Sequence, residues 1–262
     1  MKPLLRAIAL TLALLSHTGA SAQWQWSVGT GLRQVRLVER EPAGRQLVRE
    51  HGRLPGLQAA AVYQAGAWRL GLAGELHQGE LAYQGQSQAG SGFASHTDTK
   101  LGRIGLLAKR ALSERTGLIG ALEWDRWRRA IQGRDTTLGL HERYSSWRLV
   151  AGVQTRLLSH PAASLDGSAL LVLAQPERLR VQFGCQVYDD ASLETRSARG
   201  LRLVLRLQPA STPDLAITAE WDSLAVARSA QAPLFQHGLA AGSVVQPRHS
   251  RQTLSLGLLY SF

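Results

Sequence analysis

Apolar and polar residues alternate along much of this chain. From Trp68, the residues Trp68, Leu70, Leu72, Gly74 and Leu76 fall on one side of an extended backbone, with Arg69, Gly71, Ala73, Glu75 and His77 on the other. The pattern returns at Trp147, Leu149, Ala151 and Val153 against Arg148, Gln154 and Arg156, and at Leu215, Ile217, Ala219 and Trp221 against Thr218, Glu220 and Asp222. Leu201, Leu203, Leu205 and Leu207 alternate with Arg202, Val204 and Arg206. These are strands with one greasy face, and the reading gives ten: about Trp24 to Val38, Leu57 to Gln64, Trp68 to Tyr83, Lys100 to Leu112, Gly117 to Trp127, Tyr144 to Leu157, Leu165 to Ala174, Leu201 to Gln208, Leu215 to Ala225 and Arg251 to Phe262.

A β-sandwich also alternates, so the connections decide the class. Short ones at 65–67, 113–116, 158–164 and 209–214 carry turn residues, and they take turns with long ones at 39–56, 84–99, 128–143, 175–200 and 226–250. An even strand number, spans of about ten residues and long-short alternation predict an all-β fold, a transmembrane antiparallel up-and-down β-barrel with short periplasmic turns and long external loops. Nothing divides residues 23–262, which are expected to form a single barrel domain. The 26 glycines and the scattered apolar residues argue against a soluble α/β enzyme.

Leu254, Leu256, Leu258, Tyr260 and Phe262 alternate to the last residue. Here the chain resembles bacterial outer-membrane barrel proteins, whose final strand ends in an aromatic residue read by the barrel-assembly machinery. The resemblance implies that Phe262 makes this contact and that the outer membrane of a Gram-negative bacterium is the destination. Trp24, Trp26, Tyr63, Trp68, Tyr260 and Phe262 fall at the expected periplasmic ends, and Trp124, Trp127, Tyr144, Trp147 and Trp221 towards the outer ends, giving two aromatic girdles.

The first 22 residues read as a secretory signal peptide, with Lys2 and Arg6, an apolar run from Ala7 to Leu15 and an Ala20-Ser21-Ala22 cleavage site. Cys185 is the only cysteine, so neither a lipidated leader cysteine nor an intrachain disulfide is expected. Removing Lys2 and Arg6 lowers the formal charge from +11 to +9, carried nearly all by arginine, since Lys100 and Lys109 are the only other lysines. Arginine grips phosphate and carboxylate with two parallel hydrogen bonds. Expected partners are therefore outer-membrane lipid and the phosphates of lipopolysaccharide, or an anionic solute; nucleic acid is not expected of an exported chain.

With the apolar faces on lipid, the opposite faces line the lumen, where acidic and basic residues alternate from strand to strand. Glu75 and His77 precede Arg103 and Lys109; Glu123 and Asp125 precede Arg148 and Arg156; Asp166 precedes Arg202 and Arg206; Glu220 and Asp222 precede Arg251. Cross-strand pairing would offset the cost of burying these charges. About ten strands enclose little more than the eight-strand lumen that side chains fill, so a plugged or very narrow interior is expected, with an anion-selective channel as the competing reading.

Residues for chemistry in a barrel of this kind sit at its rim, in the long loops. The outer-membrane phospholipase A and the lipid A deacylase centre on His-x-Ser, which this chain lacks. Ten strands and five external loops resemble the omptin proteases, and the resemblance implies water activation by acidic and aspartate-histidine pairs in the second and fourth loops. The corresponding candidates are His96 and Asp98, with Asp189 and Asp190; their order is exchanged relative to the family, and the last two lack its spacer. No zinc-ligand spacing or phosphate-binding glycine motif appears, so no metal or cofactor is expected. The sequence therefore predicts a non-enzymatic barrel with a surface-binding or structural role or a narrow solute channel, the alternative being an omptin-like protease or other rim-loop hydrolase.

Overall fold

The computed structural model describes residues 23–86, 92–134 and 137–262; the expected signal peptide lies outside them. Ten strands make the wall: β1 (Gln23–Arg40), β2 (Gln46–Ala65), β3 (Trp68–Gln86), β4 (Gly92–Ala111), β5 (Thr116–Ile131), β6 (Leu140–His160), β7 (Ala163–Ala174), β10 (Ala198–Pro209), β11 (Leu215–Val226) and β14 (Arg248–Ser261). Each pairs antiparallel with the next, β7 with β10 and β11 with β14, and β14 returns to β1 through pairs such as Leu258 with Thr30. The barrel is closed and leaves no sheet edge along this wall.

All ten expected strands are present. Four short connections, at 66–67, 112–115, 161–162 and 210–214, gather at one end together with Gln23 and Phe262. This is the turn end; Gly66, at φ +57, makes the tight reversal between β2 and β3. The opposite loop end carries the connections at 41–45, 132–139, 175–197 and 227–247, and that at 87–91, which lies outside the described residues.

Near the turn end Leu32, Leu57, Leu72, Leu106, Leu149, Leu203 and Leu256 all stand exposed on the outer wall, while glycine, small and charged residues face inward. This inside-out pattern is stable only against lipid. Towards the loop end it inverts. Strands β1 to β6 are 16 to 21 residues long, well beyond the ten or so that span a bilayer, and the surplus carries polar residues outward and apolar ones inward. Val35, Leu37, Leu54, Leu81, Leu101 and Trp127 pack there in one buried cluster, and Val150, Leu170, Val172 and Leu224 in another.

The inversion accounts for two departures from expectation. The expected connection at 39–56 shrinks to 41–45, because Glu50 and Leu54 face the interior of a continuing β2. Trp127 and Tyr144, expected in the outer girdle, are 1% and 3% exposed and stack on each other at 5.1 Å within the lumen. Trp127 stands three residues from the outward Trp124, which puts it on the opposite face of its strand.

Two further hairpins cap the loop end. β8 (Arg178–Phe183) pairs with β6 and β9 (Ala191–Glu194) with β8, so the fourth connection continues the wall upward. β12 (Ala232–Gln236) and β13 (Leu239–Val244) form a separate two-stranded sheet in the fifth.

Candidate functional site

Every residue of the expected lumen network sits on the inner face of its strand, and the charges sort into three tiers. In the middle tier, Arg33 meets Glu75 at 2.7 Å, and Arg103 holds Glu75 at 3.0 Å and Glu220 at 2.9 Å. Arg202 grips Glu123 at 2.6 Å and Asp222 at 2.9 Å, while Arg148 and Arg251 share Asp125 at 2.6 and 2.9 Å. His77 lies 3.7 Å from Glu75. Five arginines thus meet five carboxylates, and the tier is neutral apart from the histidine.

The partners are not mainly those on neighbouring strands. Arg103 on β4 reaches Glu220 on β11, five strands away around the wall, and Arg202 on β10 reaches Glu123 on β5, three away. Side chains bridge the lumen from wall to wall. Arg33 escaped the sequence reading, although it shares the face of Gly29 and Gly31 opposite Leu32 and was legible by parity.

Above this tier, towards the loops, Arg129 stands among three glutamates: Glu142 at 2.6 Å, Glu50 at 2.7 Å and Glu39 at 3.2 Å. Thr97 donates to Glu50 and Tyr144 to Glu142, and the Arg129 guanidinium lies 5.0 Å from the Trp127 ring centre. Beside it, His249 meets Glu177 at 3.1 Å, both buried. These ion pairs and hydrogen bonds offset most of the cost of burying the cluster, although Glu50 Oε2 and Arg129 Nε have no hydrogen-bond partner among the described residues.

At the turn end the balance reverses. Arg69, Lys109, Arg156 and Arg206 face inward around Asp166, which pairs with Arg156 at 3.0 Å, and Glu114 of the 112–115 turn borders the same recess. Lys109 donates instead to the Gln154 amide at 3.2 Å and Arg69 to that of Gln64 at 3.2 Å. Small residues on the facing wall leave space here.

The hydrolase candidates are not brought together. His96 and Asp98 lie on the outer face of β4, where His96 pairs with Glu80 at 3.0 Å and Asp98 accepts from Gln132 at 2.7 Å. Asp189 accepts from the backbone N–H groups of His237 and Gly238, tying the fourth connection to the β12–β13 hairpin. Asp190 accepts from Gln182 and Arg180, which hold its carboxyl below the usual range. Asp98 and Gln182 share a cross-strand row three strand spacings apart, or about 14 Å, too far for one bridging water. No group of three metal-ligating side chains occurs among the described residues.

The outer wall carries a feature that the sequence reading passed over. Lys100, Arg128, Arg143 and Arg180 stand side by side across β4, β5, β6 and β8 in direct register, with Arg126 and Arg178 in the row below. One row further down, Ile104, Trp124 and Trp147 begin the apolar belt. Like charges placed directly opposite each other repel, so the row favours an anion beside it. Trp221, Trp24, Trp26, Tyr63, Trp68, Tyr260 and Phe262 also point outward, and Trp24 packs on Trp26 and Tyr63 at the turn end.

No known protein family matches the sequence, and no curated protein does. Solved structures do match. The translocator domain of the autotransporter NalP from Neisseria meningitidis is 13% identical, with a TM-score of 0.49 over 98% of this chain and 94% of that one. The outer membrane protease OmpT from Escherichia coli is 12% identical, with a TM-score of 0.54 over 95% of this chain and all of that one. At that identity the likeness is one of fold: this chain has the ten-stranded barrel fold of outer-membrane proteins.

Proposed function

We propose that the chain is a closed, non-enzymatic barrel of the outer membrane that works through its outer surface. The turn end faces the periplasm and the loop end the outside, the orientation usual for barrels with short and long connections. The observation that carries this reading is the lumen-crossing middle tier. Arg103 to Glu220 and Arg202 to Glu123 span the interior, with the Arg129 cluster stacked above them. Opening a path for solute would separate buried pairs at several kcal/mol each, which a passive channel has no means to supply.

The outer surface supplies the binding role. Lys100, Arg128, Arg143 and Arg180 lie just above the apolar belt, at the level of outer-leaflet phosphates, and lipopolysaccharide is the partner suited to them. Phe262, exposed at the end of β14, is the residue we propose the assembly machinery reads.

Planar-bilayer recording tests the closed-lumen reading. Folded protein should insert without stepwise conductance. Reproducible unitary steps from the unaltered protein, lost on unfolding, would overturn it in favour of a narrow channel.

A further inference from the structure

The interior charge is segregated along the barrel axis. The middle tier is neutral, the loop-end cluster sets one arginine among three glutamates, and the turn end sets four inward cations around Asp166, with Glu114 of the 112–115 turn at the mouth. Three of those four, Arg69, Lys109 and Arg206, have no carboxylate within salt-bridge distance among the described residues. Arg69 and Lys109 are direct cross-strand neighbours, a like-charge pairing that costs stability unless something compensates it. Arg206 donates no hydrogen bond to protein among the described residues, although it reaches into the same space.

That space is a cavity. About 320 Å³ lies beneath the ion-pair tier and is lined by Arg69, Lys109 and Arg206; the roof carboxylates Glu75, Glu123 and Glu220 also border it but are engaged by Arg33, Arg103 and Arg202, and Ser27, Ala60 and Gly105 leave the centre free. A second lobe of about 220 Å³ is lined by Lys109, Arg206 and Asp166, and a third of about 170 Å³ runs past Arg69, Lys109 and Arg156 to the short turns. Lys109 borders all three lobes. The arrangement is a blind vestibule, roofed by the neutral tier and open at the turn end, with Arg69, Lys109 and Arg206 converging on it and none of them in an ion pair among the described residues. Guanidinium and ammonium groups in a confined, low-dielectric recess favour an anion that accepts from several of them at once.

We propose that this vestibule binds a small phosphate-bearing anion of two or three negative charges. Arg206 and Lys109 are its central contacts and Arg69 the contact nearest the turns. That the ligand enters from the periplasm rests on the orientation proposed above; the existence of the site does not. The roof closes it above, so the site captures the anion without passing it through.

The test is calorimetric titration of the full mature chain, folded in detergent micelles, with inorganic pyrophosphate. Micelles expose both ends of the barrel, so the outcome is independent of orientation. The expected result is saturable one-to-one binding, weakened tenfold or more in Arg206→Gln and in Lys109→Gln. Arg45→Gln, in the 41–45 connection at the loop end, should bind as the parent does. The boiling-dependent gel shift certifies the fold of each variant, and having two vestibule variants keeps the test open if one misfolds. Absence of saturable binding, or binding kept by both vestibule variants, overturns the proposal.

Discussion

Arg129→Met removes the single cation from the loop-end cluster and leaves its shape nearly filled. Glu50, fully buried, would keep only the Thr97 hydroxyl, and Glu142 only Tyr144, with Glu39 close by. Breaking a buried pair from one side costs roughly 3–5 kcal/mol, because the stranded charge stays out of water. Three carboxylates share this one arginine, and the contact with the Trp127 ring is lost with it, so the upper part of that range is expected. Adding Glu50→Gln removes one of the stranded charges and should recover at least about 1 kcal/mol, the non-additivity expected of residues in one network. Denaturant unfolding from lipid vesicles, followed by tryptophan fluorescence and by the folded band on unboiled gels, measures both values. A loss below about 1 kcal/mol, or a double variant no more stable than the single, would refute the claim that Arg129 is the charge on which this tier depends.

Other perturbations address the wall and its surfaces. Leu258→Arg, midway along the outward apolar run of β14, should cost about 2–4 kcal/mol in the same unfolding assay, and Trp68→Arg at the turn-end margin no more than about 1. Gly152→Ala should destabilise by about 1–3 kcal/mol, since a Cβ there would lie 2.1 Å from the Ala169 carbonyl oxygen; an unchanged denaturation midpoint would contradict that contact. Changing Lys100, Arg128 and Arg143 together to Gln removes about 1 kcal/mol of surface attraction each, so lipopolysaccharide affinity should fall roughly a hundredfold in a vesicle-binding assay. Phe262→Ser should slow delivery into the outer membrane in pulse-labelled cells, whereas refolding in detergent proceeds because the paired backbone of Phe262 and Trp26 is untouched.

What the sequence disclosed follows the bilayer. Lipid forces every spanning strand to alternate, so all ten strands and the inward placement of residues such as Glu75, Arg103 and Arg202 could be read by counting in twos. Above the belt water replaces lipid outside, the inner face turns apolar, and the same rule misplaces Trp127 and Tyr144 and hides the first half of β2 in an expected loop. In the fourth connection, Leu179 and Val181 keep the alternation and form β8. The alternation runs on through Cys185 and Val187 without forming a strand, because Cys185 and Gln186 adopt left-handed backbone at φ 55 and 52. Charge partners were the least legible feature. Strand order nominates neighbours, whereas long arginines in a narrow lumen reach opposite walls, as Arg103 does to Glu220. Nor could spacing reveal that Asp98 lies about 14 Å along its row from Gln182, which holds Asp190, since that depends on β5 and β6 standing between β4 and β8.

The central claim is that these strands close into a barrel in the outer membrane. Fractionation of producing cells, with outer-membrane extracts run boiled and unboiled on the same gel, tests it most directly. The protein should appear in the outer-membrane fraction and migrate differently once boiled, because a closed barrel resists detergent until heat unfolds it. Recovery in the soluble periplasmic fraction, with one mobility under both conditions, would contradict it.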